Sequence, residues 1–199
     1  MDTPMHITLR RAARVVALTW CLGGGMCSAE SGAVEPQVGI PLFLKIITYD
    51  ENFGQALAQP VRLFVVYEKS VAQSYEQHLR VEEFFKTSDR LLVGGKDVRY
   101  QPVVLEALDS MLQYLSPTEY NVLLVTSIGK SRVRLLAGKI RGRGLRSFAF
   151  DSDYVPLGLA VGVRVEPRQP VIMINLDSSR KEGSRFSAHL LKMCEVYKD

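Results

Sequence analysis

One stretch, residues 129–146, holds residue types that could do chemistry at close spacing. Gly129-Lys130-Ser131 follows an apolar run, as in a loop that cradles phosphates. Such a loop needs a second glycine five positions earlier, and that position is Leu124, so no nucleotide site is expected. The N–H groups of a following helix would still suit a small anion. The same region carries Lys130, Arg132, Arg134, Lys139, Arg141, Arg143 and Arg146 with no acid among them. This is either a solvated face balanced by acids elsewhere or a contact for anionic headgroups or an acidic partner. No aromatics interleave the cations, so no nucleic acid is expected as a partner.

Catalytic and metal constellations are not found. His78 and His189 have no second ligand at zinc spacing; Glu82, four residues after His78, makes half a site. No Gly-x-Ser-x-Gly elbow occurs. Ser187 and His189, two apart on a helix, would point away from each other. No enzyme, cofactor or metal is expected. Two polar residues stand out as ligand contacts. Asp50 lies between Tyr49 and Asn52 in a turn, and Asn175 interrupts the apolar run Val171–Leu176. Turn formation and strand-end capping are their alternative roles.

These residues must be positioned by a domain of ordinary composition, with 199 residues, 47% apolar and 23% charged. Residues 1–29 read as a cleaved signal peptide. Arg10, Arg11 and Arg14 precede a short apolar core, three glycines break it, and Cys27-Ser28-Ala29 offers small residues to a peptidase. Residues 30–37 read as a flexible lead-in and 38–199 as one domain. Cleavage leaves a net charge near +2 and Cys194 as the one cysteine, too few for an intrachain disulfide.

Residues 38–49 suit a short helix with Pro41 in its first turn. Val61–Tyr67 and Asn121–Thr126 read as strands buried on both faces. Ser70 caps a helix whose apolar face would be Val71, Tyr75 and Leu79. A strand near 98–103, a helix over 104–115, a helix from 130 to about Ala137 ended by Gly138, and a strand over 145–150 follow. Leu159–Val165 and Val171–Leu176 form a hairpin, and Phe186–Tyr197 a last amphipathic helix. The alternation predicts an α/β fold: a three-layer α/β/α sandwich with a mostly parallel sheet and a C-terminal antiparallel hairpin.

Residues 158–196 contain Val-Gly-Val-Arg-Val, then Ile-Met-Ile-Asn-Leu-Asp-Ser-Ser-Arg-Lys-Glu-Gly, then Phe-Ser-Ala-His-Leu-Leu-Lys-Met-Cys. Residues 43–53 read Phe-Leu-Lys-Ile-Ile-Thr-Tyr-Asp-Glu-Asn-Phe. Together they resemble the YfiR-like family of periplasmic regulatory proteins. The resemblance implies a periplasmic, non-enzymatic homodimer. It would bind an inner-membrane sensor, a diguanylate cyclase or a histidine kinase, and so modulate cyclic di-GMP output and biofilm formation. The paired cysteines of well-studied members have no counterpart here. The expected docking residues are Phe43, Ile46, Ile47 and Tyr49 on the first helix, with Lys130, Arg132, Arg134, Arg141 and Arg143. The alternative is a periplasmic small-molecule carrier with its ligand in a crevice at the strand carboxyl ends.

Overall fold

The computed structural model describes residues 33–54, 60–88, 90–116, 118–166 and 169–198. The expected signal peptide lies outside the described residues. The centre of the sheet is β1 (Val61–Tyr67), which pairs in parallel with β3 (Lys96–Val104) on one side and β4 (Tyr120–Val125) on the other. Alternate residues enter opposite cores. Leu63 and Val65 face one layer with Val122 and Leu124, while Phe64 and Val66 face the other with Leu123 and Val125. Both faces are covered, so the strands read as continuous apolar runs rather than alternating ones.

The first layer is built on α1 (Pro36–Ile47), α2 (Ala72–Thr87) and α6 (Ala188–Leu191). The second is α3 (Leu108–Gln113) and α4 (Lys130–Ile140). Parallel pairing continues through β5 (Leu145–Ala149) to β6 (Val161–Val165), and β7 (Pro170–Asn175) returns antiparallel. The short β2 (Leu92–Val93) and β8 (Glu195–Tyr197) complete an eight-stranded sheet of order β2-β3-β1-β4-β5-β6-β7-β8. The expected three-layer architecture and terminal hairpin are therefore present. Among the described residues no helix is long and apolar enough to cross a membrane.

Local readings differ in instructive ways. Residues 33–37 are anchored rather than flexible: Val34 donates to the Phe150 carbonyl at 2.7 Å, and α1 already starts at Pro36. Pro41 therefore sits inside α1, where it forfeits one hydrogen bond that burial of the helix outweighs. On α2 the expected apolar face is reversed. Tyr75 and Leu79 are exposed, whereas Ser74, Gln77, His78 and Val81 are buried. α4 runs through Gly138 to Ile140, and Gly142 and Gly144, at φ 73° and 66°, turn the chain after it.

The expected last helix is split. Ser187 caps the single-turn α6, Leu190 fills the core, and the chain then pairs with β7 at Ile174↔Val196. α5 (Leu176–Lys181) precedes it, starting at the Asn175 cap.

Candidate functional site

Strand order reverses around β1. The chain leaves β1 through α2 to β3 on one side, then crosses through α3 to β4 on the other. The loops after β1 and β4 consequently diverge at their carboxyl ends, the place where open α/β sheets form a ligand crevice.

The polar stripe of α2 is sewn onto these strand ends. Ser74 Oγ accepts from the Glu68 N–H at 2.8 Å and lies 2.6 Å from Thr126 Oγ1. Thr126 Oγ1 lies 2.9 Å from the Val66 carbonyl, and the Ser127 N–H donates to Gln77 Oε1 at 2.7 Å. Aromatic rings cluster beside them: the His78 ring stacks on Tyr67 at 3.9 Å, and the exposed Tyr75 lies about 6 Å from both. His78, which lacks a second ligand at zinc spacing, is buried. Burial lowers its pKa, partly opposed by Glu82, so the imidazole is neutral at pH 7 and can exchange a hydrogen bond with Tyr100.

Glu68 is the residue that this arrangement leaves incomplete. Its side chain is 5% exposed. Oε1 meets Ser70 Oγ at 3.2 Å and the Arg132 guanidinium at 3.3 Å, but Oε2 has no hydrogen-bond donor. A buried carboxylate oxygen without a donor forfeits solvation worth about 1–3 kcal/mol or more. Arg132 also reaches toward Glu106 at 4.0 Å, so one guanidinium serves two acids. Arg132 also lines a groove of about 220 Å³ with Leu105, Leu108 and Leu135, along which Glu106, Asp109 and Lys139 are the other charged residues.

The residues expected from sequence to bind fall elsewhere. Phe43, Ile46 and Ile47 are 3%, 1% and 0% exposed and form the first core, so α1 offers no apolar docking face through them. Tyr49 is half-buried near His189. Asp50 is buried and fully used: Oδ1 accepts from the Asn52 and Arg185 N–H groups, and Oδ2 from Tyr120 Oη at 2.6 Å. Asn175 is buried and caps α5 through the Ser178 N–H. Because β7 runs antiparallel, its carboxyl end lies at the opposite pole from the crevice. Both polar residues thus hold the fold rather than open to a ligand.

The basic segment divides. Lys130 pairs with Asp153, Arg132 with Glu68 and Lys139 with Asp109, and Arg146 is drawn inside beside Asp50. Arg134, Arg141 and Arg143 are exposed, and among the described residues none has a carboxylate at ion-pair distance. Among the described residues no three His, Cys, Asp or Glu side chains converge as metal ligands. Cys194 is half-buried, and burial pushes its thiol up to about 11. That leaves it a poor thiolate.

Sequence reading passed over Glu68, Ser74, Gln77 and Thr126. Two signals for them were present: an acid directly after the seven-residue strand run Val61–Tyr67, and polar residues at i, i+3 and i+4 on α2.

No known family profile matches the sequence, and no curated protein matches it. Solved structures share the fold at low identity. One is a substrate binding protein with adhesive properties from Clostridium difficile, ligand-free and open, at TM-score 0.57 and 13% identity, covering 83% of this chain and 60% of that one. Another is an ABC domain from Streptococcus pneumonia in complex with L-Trp, at TM-score 0.55 and 10% identity, covering 82% and 62%. A third is a conserved domain protein from Vibrio cholerae, at TM-score 0.53 and 11% identity, covering 83% and 60%. This chain spans about three fifths of the length of each.

Proposed function

We propose that the protein is a periplasmic small-molecule binding protein that takes an ammonium-bearing metabolite of the amino-acid class at the carboxyl edge of the sheet. The observation that carries this reading is Glu68 Oε2, buried at the switch point and lacking a donor. An ammonium supplies the missing donor and a matching charge at once. Ser74, Thr126 and Gln77 hold the floor rigid, and the groove that Arg132 lines with Leu105, Leu108 and Leu135 offers apolar surface to a side chain. The L-Trp complex of a structural neighbour supports an amino acid as the first ligand to try.

Isothermal titration against the amino acids and linear polyamines tests it. At least one amine is expected to saturate the protein, and Glu68→Gln to weaken it about 30-fold or more, as expected for loss of a charge-assisted contact. Binding by neutral compounds alone, or equal amine affinity in Glu68→Gln, would reject the reading.

A second reading is favoured by Arg134, Arg141 and Arg143. Three exposed guanidiniums with no carboxylate at ion-pair distance among the described residues suit an acidic surface of a membrane sensor, a diguanylate cyclase or histidine kinase, as the YfiR-like resemblance implies. On that reading Arg141→Glu with Arg143→Glu lowers affinity for the sensor's extracytoplasmic domain about tenfold while the melting temperature stays within about 1 °C, because neither side chain is buried. Unchanged affinity would remove the patch from any docking role.

A further inference from the structure

At the pole opposite the crevice lies a cavity of about 390 Å³ between the turn after α1 and the segment 176–191. This volume is within the range of small-molecule sites. Its position is held by hydrogen bonds between the two segments. The Glu51 N–H donates to the Arg185 carbonyl, the Ser187 N–H to the Tyr49 carbonyl, and Asn52 Nδ2 to the Gly183 carbonyl at 2.9 Å. Asp50 underlies both segments through the Asn52 and Arg185 N–H groups. The wall is therefore a rigid part of the fold, although its halves are more than 120 residues apart in sequence.

Three features describe what the cavity would hold. Arg180 and Arg185 line it and Glu51 opposes them, an excess of one positive charge. Arg185 is tied to Glu51 at 2.9 Å, while Arg180, at the end of α5, has no ion pair among the described residues. Ser184 also lines the cavity and is 4% exposed, yet its Oγ makes no hydrogen bond of ordinary geometry. The nearby Tyr120 hydroxyl feels Ser184 but donates to Asp50 at 2.6 Å. The Ser184 hydroxyl, whose polar neighbour is Tyr120 and which meets no acceptor at ordinary hydrogen-bond geometry, can donate to an anion in the cavity that it lines. Leu176, Phe186 and Leu191 form the remaining wall.

We propose that this cavity is a second binding site, distinct from the carboxyl-edge crevice, for a small monocarboxylate with an apolar body. The carboxylate takes the Arg180 guanidinium and the Ser184 hydroxyl, and its hydrocarbon part lies against Phe186 and Leu191. A dianion such as phosphate fits less well, because Glu51 stands on the same rim and the wall offers apolar contact that a phosphate cannot use.

Titration of the purified protein with phenylacetate, hexanoate, phenylacetamide and inorganic phosphate tests the assignment. Phenylacetate or hexanoate is expected to saturate one site at least tenfold more tightly than phenylacetamide or phosphate. Arg180→Ala is expected to weaken it about tenfold and Ser184→Ala about threefold, with Glu68→Gln and Thr126→Val unchanged. Arg180 is exposed, so its variant keeps the wild-type melting temperature. The amide or phosphate binding as well as the acids would overturn the proposal. So would wild-type acid affinity in both Arg180→Ala and Ser184→Ala. An acid lost in Thr126→Val but not in Arg180→Ala would place the anion in the crevice. That result would overturn this site without touching the ammonium reading, which Glu68→Gln tests with amines.

Discussion

Asp50→Ala is expected to lower the unfolding free energy by about 3–5 kcal/mol, the range for removing one partner of a buried charged network. Asp50 is 3% exposed and accepts from Tyr120, Asn52 and Arg185, with Arg146 Nε at 3.7 Å. Its removal leaves the Tyr120 hydroxyl without its acceptor and Arg146, which stacks over the Tyr120 ring at 4.1 Å, without its carboxylate. It also releases the segment around Arg185 from the turn after α1. For a domain of this size the midpoint should fall on the order of 10 °C. Asp50→Asn keeps an acceptor oxygen and should cost less. Urea unfolding of both variants checks this, and a loss below about 1 kcal/mol for Asp50→Ala would refute the keystone role.

Stability is expected to fall as the pH rises between about 5 and 8, and Glu182→Gln to abolish most of that slope. Glu182 is 0% exposed, and burial pushes its pKa up to about 8 from an ordinary 4.5. The Ser147 N–H and Oγ, donating at 2.6 and 2.7 Å, and the Arg146 charge act in the other direction. Across this window the folded chain keeps a proton that the unfolded chain has lost. The stabilisation is therefore complete below about 4.5, declines as the pH rises through the folded value near 8, and is gone above it. Urea midpoints at pH 5, 7 and 9 measure it. Equal wild-type midpoints at pH 5 and 9, or an unaltered slope in Glu182→Gln, would contradict the assignment.

The buried polar networks show where sequence reasoning stops. Glu182 reads as one more charge in Arg-Lys-Glu-Gly, yet it receives the backbone of β5 from 35 residues away. Tyr120 reads as the flank of a strand, yet it joins Asp50 across 70 residues. Neither pairing has a local signature, because a hydrogen bond between distant segments depends on which strands become neighbours. The α2 face was misread for a related reason. Tyr75 and Leu79 are apolar at helical spacing, but the strand ends they would have covered carry backbone groups and hydroxyls that need partners, and Ser74 and Gln77 supply them.

By itself the sequence determined the layered α/β architecture, since strand and helix periodicities, their alternation and the turn residues are local properties of the chain. It also determined the terminal hairpin, because two runs of strand character follow one another with only a few residues between them. Only the tertiary structure decided that Glu68 is buried after β1 with one oxygen lacking a donor, that Asp50 and Asn175 lie inside at the other pole, and that Phe43, Ile46 and Ile47 are core. The reason is direction and neighbourhood. An apolar or polar residue is the same letter on either face, and strand order and sense assign it to a core, a crevice or water.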